Sequence, residues 1–257
     1  VSTDGQRYGG TLPDGATTYS YAFRHQVPEE FVELPEAEAE SAEGWRRAME
    51  RLMPDADERE REMSASALRA PLPLLEAGGT TLLSALCVGS EEVDGTERLS
   101  MGLLAVSVRH SPHGPARRLA TAEAIYRSTE RTFFDGLPPE RLTPLDLPRG
   151  KGAQGPQDMV LAVVLPAGPA VMSTSLRSLR LPPVDVGIET PPLAMAALQL
   201  VAPAPAGYCV YVTLSTPSVF LLDSYSARLS HIARTLVFDE VAAPVGAVDG
   251  RRAASRA

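Results

Sequence analysis

Lysine is almost missing from this chain. Lys151 is the only one, and the other 23 basic residues are arginine. That bias, with abundant alanine and proline, fits a GC-rich actinobacterial genome. Cysteine is also scarce. Two thiols, Cys87 and Cys209, exclude a disulfide scaffold and a four-thiolate zinc site. There is one tryptophan, Trp45, and there are only four histidines. No uninterrupted apolar run reaches the ~18 residues that a membrane span needs, because Pro, Gly, Ser or Arg cut each one short. A basic surplus is absent too, since the net charge is -8. What is present is 257 residues at 44% hydrophobic and 22% charged, enough apolar material for a packed core. Low hydrophobicity with high net charge, the mark of a wholly disordered chain, is excluded.

The negative charge is concentrated. Residues 29–62 hold thirteen acids and five arginines, whereas the rest of the chain is balanced. An acidic block repels phosphate, so nucleic acid is not an expected ligand. The block reads either as a solvated helical face with an acidic loop or as a docking surface for a basic partner. Residues 1–15 lack the basic and apolar regions of a signal peptide. Both cysteines sit in apolar, strand-like runs, which suits a reducing compartment. A cytoplasmic protein is therefore expected.

Residues 1–16 are polar and Gly-rich, and a mobile arm is expected there. A single domain should follow over 17–240, and the Ala/Gly/Arg-rich 241–257 should be a disordered tail. Residues 17–24 alternate like a strand, and Phe31–Pro35 reads as extended. Trp45, Met49 and Leu52 mark one face of a helix over 42–53, with Ser41 as its cap. Asp55 and Glu58 fit a capping box for a second helix over 56–70. Asp94-Gly95 is a turn pair between strands 80–89 and 98–109. A third helix, 116–134, should bury Leu119, Ala122, Tyr126 and Phe133 and point Arg117, Arg118, Arg127 and Arg131 to solvent. Strands are expected at 142–147, 159–165, 171–181, 193–202 and 208–214, with a loop over 148–157. Thr216-Pro217 should open a last helix in which Leu222, Tyr225, Leu229, Ile232 and Leu236 repeat by three or four. The fold class is α+β: one antiparallel sheet of six to eight strands, meandering between short connectors and covered by helices.

The Phe31–Pro35 segment, the hairpins and the ending VYVTLSTPSVFLLDSYSARLSHIARTLVFDE resemble the PsbP-like fold. That family includes the oxygen-evolving photosystem subunit and the mycobacterial lipoproteins called LpqN. Tyr225, Ile232, Thr235, Leu236 and Phe238 match its closing helix pattern. The corner Leu165–Val171 is similar to a group of uncharacterised streptomycete proteins. The resemblance spans about residues 25–240 and implies a PsbP-like α/β/α sandwich. Its members mostly bind other proteins, so an adaptor-like role is implied. Two departures stand out: the region 40–77 is longer than the family pattern, and no lipobox cysteine precedes the domain.

Catalytic constellations are hard to assemble from these residues. His110 and His113 form an H-x-x-H pair around Ser111-Pro112, but a zinc site wants three or four ligands. His231 sits beside Arg228 and Arg234 on the expected outer side of the last helix, and His25 has no evident companion. There is no G-x-S-x-G and no S-x-x-K. A buried thiol without a cation stays protonated, and a bridge between Cys87 and Cys209 would need adjacent strands. Arg149 and Gly150-Lys151-Gly152 lack the register of a phosphate-binding loop. Trp45 reads as core. No cofactor and no metal are expected.

The expectation is a non-enzymatic protein-interaction module. Its contact surface would be the acids Glu36, Glu38, Glu40, Glu43 and Glu50, with a sheet edge as a second element, and its partner a protein with a basic surface. A homodimer is another expected arrangement. The alternative is a small-molecule-binding protein or enzyme whose pocket, between sheet and helices, would gather His110, His113, Arg149 and Lys151.

Overall fold

The computed structural model describes residues 5–14, 17–35, 42–69, 80–111, 117–128, 142–144, 158–180 and 192–239. Within them lie eleven strands: β1 (Gln6–Asp14), β2 (Thr17–His25), β3 (Val32–Glu33), β4 (Thr80–Val93), β5 (Thr96–His110), β6 (Leu142–Pro144), β7 (Asp158–Leu165), β8 (Gly168–Leu179), β9 (Leu193–Pro203), β10 (Tyr208–Thr216) and β11 (Val237–Phe238). Four α-helices accompany them: α1 (Ala42–Leu52), α2 (Glu58–Arg69), α3 (Arg118–Arg127) and α4 (Leu222–Thr235). The fold is α+β, built on two antiparallel sheets.

The large sheet runs β3-β4-β5-β10-β9-β8, and β6 and β7 lie one after the other along the far side of β8. The expected meander holds within each hairpin but fails between them. β5 pairs with β10, about a hundred residues later in the chain, from Leu103↔Ser215 to His110↔Tyr208. The Asp94-Gly95 turn is present, with φ of 50° and 74° at its two residues, and β4 and β5 extend to either side of it.

Both faces of the β4–β5 hairpin are covered, which is why its sequence reads as a nearly continuous apolar run. On the first face, Leu83, Leu104, Val106, Leu200, Val212 and Leu214 pack against Tyr225, Leu229 and Ile232 of α4 and against Phe23 of β2. On the second face, Leu86, Met101 and Leu103 meet a separate cluster of Val32, Leu34, Trp45, Met49, Leu52 and Ala65. Trp45 is core, as its helical spacing implies. Each Leu-sized side chain fully removed from water contributes ~1.5–3 kcal/mol.

The small sheet, β1-β2-β11, corrects the expectation of a mobile arm. β1 pairs with β2 along its whole length, from Gln6↔His25 to Asp14↔Thr17. Its Gly10 serves close packing rather than freedom. A Cβ on Gly10 would come within 2.5 Å of the Tyr21 hydroxyl. One residue ties the two sheets together. The Tyr208 hydroxyl donates to the Ala22 carbonyl (2.9 Å) and accepts from the Ala22 amide (3.2 Å). Burial pushes that phenol up to about 12.

Two further expectations shift. The capping box of α2 is formed by Asp57 and Glu60, two residues later than expected: the Glu60 amide donates to Asp57 (2.8 Å), and the Asp57 amide donates to Glu60 (3.0 Å). In α3 the inward stripe is the buried Thr121 and Ala122 with the half-buried Arg118 and Ile125, spaced by three and four, and not Leu119 with Tyr126. Arg118 turns inward because unpaired carbonyls wait there. Its Nε donates to Pro203 (2.7 Å), another nitrogen donates to Ala167, and its guanidinium lies 5.2 Å from the centre of the Phe238 ring. Leu119 and Tyr126 are left exposed. The expected continuation to Phe134 and the loop 148–157 lie outside the described residues, as does the tail 241–257.

Candidate functional site

An open groove of about 1000 Å³ runs between the first face of β4, the Gln26–Glu33 segment and α4. Its floor is apolar, formed by Val27, Phe31, Leu83 and Ala85. Its charged lining residues are Glu29, Glu30, Glu33, Arg51 and Arg228, with His231 beside them.

A polar network centred on Arg228 of α4 adjoins the groove. Arg228 donates to Glu30 (2.8 Å), to Glu91 (2.9 Å) and to the Ser224 hydroxyl (2.8 Å). Its guanidinium also lies over the Tyr225 ring, at 4.8 Å. Glu91 accepts two further hydrogen bonds, from Ser100 (2.7 Å) and Ser224 (2.8 Å). Burial would raise the Glu91 carboxyl, but the donors Ser100, Ser224 and Arg228 outweigh it and hold the group below the usual carboxylate range. Burial would likewise lower Arg228, and its two carboxylate partners raise it instead. The Tyr225 hydroxyl is 2.9 Å from Ser100 and 3.7 Å from the Cys87 sulfur. Its ring rests on Gly102, where a Cβ would meet it at 2.4 Å.

The acids expected to form a docking face behave differently. Glu43 and Glu50 are on α1, but Arg46 binds both of them and Arg47 adds a contact to Glu43. The hydrogen bond from Arg46 is the main cause of a lowered Glu43 carboxyl. Intrahelical pairs at three and four residues thus neutralise this surface. Glu36, Glu38 and Glu40 lie outside the described residues. Of the thirteen acids in 29–62, the five on α1 and α2 are matched by five arginines. Among the described residues the surplus therefore lies outside the helices, at Glu29, Glu30, Glu33, Asp55 and Asp57. Three of these line the groove.

The four polar residues of the expected small-molecule pocket are not brought to this groove as far as they are described. His110 ends β5 opposite Tyr208, away from the groove. His113, Arg149 and Lys151 lie outside the described residues. His231 is exposed and lines the groove. Arg228, expected on the solvent side of the last helix, is instead the centre of the network. One local signal pointed to it: Ser224 and Arg228 stand four apart on a face adjoining Tyr225. Its carboxylate partners come from 198 and 137 residues away, and no local pattern could reveal them.

Cys87 and Cys209 are both free and buried. Cys87 sits across from Gly102 on the first face, whereas Cys209 lies on the opposite face of β10, two strands away. No bridge between them is possible in this fold. Burial raises both thiols, Cys209 to about 11, so neither is a thiolate at neutral pH. Among the described residues no three His, Cys, Asp or Glu side chains are grouped to hold a metal ion. No described helix is long and apolar enough to cross a membrane.

Comparison with protein-family models gives no match. No curated protein and no solved structure matches the chain either.

Proposed function

We propose that this chain is a non-catalytic protein-interaction module, an adaptor or accessory subunit, that takes up a basic segment of its partner in the groove beside α4. The observation that carries this reading is the distribution of the acids. The helices neutralise their own, and of the described acids outside them Glu29, Glu30 and Glu33 line a groove with an apolar floor. An apolar base with Glu29 and Glu33 at its rim, and with Arg228 already bound to Glu30, favours an extended peptide that carries arginine or lysine beside apolar residues. The groove is open, which suits a peptide better than a small molecule that must be enclosed. Arg228 is already held by two carboxylates, so it offers little to an acidic metabolite. The resemblance to PsbP-like proteins, whose members mostly bind other proteins, agrees with this role. Two buried, protonated thiols agree with a cytoplasmic setting.

Affinity capture in the native host, with carboxylate-reactive crosslinking mapped by mass spectrometry, tests it. The chain has a single lysine, so amine chemistry would see little. Crosslinks are expected at Glu29 and Glu33. Reversing both to arginine should cut capture at least tenfold, and raising the salt should do the same. Reversing Glu43 and Glu50 should leave capture unchanged. Capture that survives the Glu29/Glu33 reversal would overturn the reading.

A further inference from the structure

The geometry points to β7 as a self-association edge, through which two copies of this chain pair β7 against β7 and join their large sheets into one. β7 pairs with β8 from Asp158 to Leu165 and with no other described strand, so one row of its backbone amides and carbonyls faces outward. Such an edge is a template for another strand unless charge, proline or a bulge blocks it. Over residues 159–165 none of these is present. From Met159 to Leu165 every residue is apolar, and Met159, Leu161 and Val164 are 51%, 48% and 90% exposed. The opposite end of the same sheet is treated in the reverse way. There β3 is two residues long, carries Glu33 and runs into Pro35.

The occupant that fits is a second copy. An antiparallel strand facing itself across a two-fold axis must match its own sequence in reverse. Centred on Ala162, this strand sets Met159 against Leu165, Val160 against Val164 and Leu161 against Val163. Apolar thus meets apolar at every position. Two molecules of net charge -8 repel in general, but not along this seam. Its only charge, Asp158, is held by both terminal nitrogens of Arg177, at 2.8 and 2.9 Å. The seam does not end at the strand. α3 packs across β7, β8 and β9 and exposes Leu119 and Tyr126, seven residues apart on one helical face. A seven-residue ladder is only ~23 Å long. Such a ladder with its flanking side chains falls below the ~1,200–2,000 Å² of specific interfaces, so a weak, micromolar dimer is expected.

This inference does not depend on the acidic groove, which lies at the other end of the sheet. Light scattering across a micromolar to hundred-micromolar range tests it, together with hydrogen exchange. The native chain should move from 27.4 kDa toward twice that mass, and amide protection over 159–165 should rise with concentration. Leu161→Lys and Val164→Lys, both at exposed positions, should each hold the chain at the monomer mass with an unchanged melting temperature. Leu119→Glu should weaken the dimer. A monomer at every concentration, or a dimer that neither lysine variant disturbs, would overturn the proposal. So would a dimer whose 159–165 amides exchange at the same rate as in the dilute monomer.

Discussion

His25 shows how much one side chain can say that its sequence context does not. It is 1% exposed, at the end of β2, in a cluster with the rings of Tyr8 (5.3 Å) and Phe23 (6.1 Å). Among the described residues neither ring nitrogen has a partner in good hydrogen-bonding geometry. Burial pushes the imidazole down to about 4, and the Gln26 backbone offsets this only slightly. The folded value lies below the unfolded value of about 6.5, so the native state favours the neutral ring. Stability is then complete above pH 6.5 and falls as the pH drops toward 4. A shift of this size corresponds to a loss on the order of 3 kcal/mol. Urea unfolding at pH 7 and pH 4.5 should show the difference, and His25→Phe should flatten it. An equal slope in that variant would assign the pH dependence to the carboxylates.

At the scale of elements, sequence was most informative where the signal is local. The Asp94-Gly95 hairpin, the β7–β8 and β9–β10 pairs and the Tyr225–Leu236 stripe were all legible, because turn residues and periodicity act over a few positions. The pairing of β5 with β10 was not, since it depends on residues about a hundred positions apart. β1 was misread because glycine counts equally toward freedom and toward close approach, and only the Tyr21 ring above Gly10 decides between them. In α3, Ala122 is buried as expected, but the large side chains of Leu119 and Tyr126 suggest a different inner face, while the carbonyls that turn Arg118 to the inside come from β9 and the β7–β8 turn and leave no local trace. The α2 capping box makes a plain test of element-level reasoning. Asp57→Ala removes the acceptor of the Glu60 amide and should cost ~1 kcal/mol in thermal or urea unfolding, whereas Asp55→Ala should cost little. The opposite ranking would restore the earlier box, Asp55 with Glu58.

At the scale of the molecule, the least legible feature holds the pieces together. Arg228 on α4 reaches Glu30, just before β3, and Glu91, near the tip of the β4–β5 hairpin. It thus fastens the last helix to both the groove rim and the hairpin. The two contacts are not equal. The Arg228 and Glu91 side chains are 18% and 25% exposed, whereas Glu30 is 46% exposed and contributes little through its charge. Arg228→Met would leave Glu91 sheltered with only hydroxyl donors, Ser100 and Ser224, and should cost ~2 kcal/mol. Glu91→Gln should cost a similar amount, and the double variant less than the sum, because each single change strands the other partner. The pH signature is distinct from that of His25. The folded Glu91 carboxyl lies below its unfolded value, so its contribution is present above that value and lost as the pH falls through the folded one. Acid unfolding should therefore begin with the histidine and steepen when the clamp is protonated. Arg228→Met should remove the second, more acidic phase of the urea-midpoint profile and leave the first. A profile that keeps both phases would place the acid-sensitive carboxylate elsewhere in the molecule.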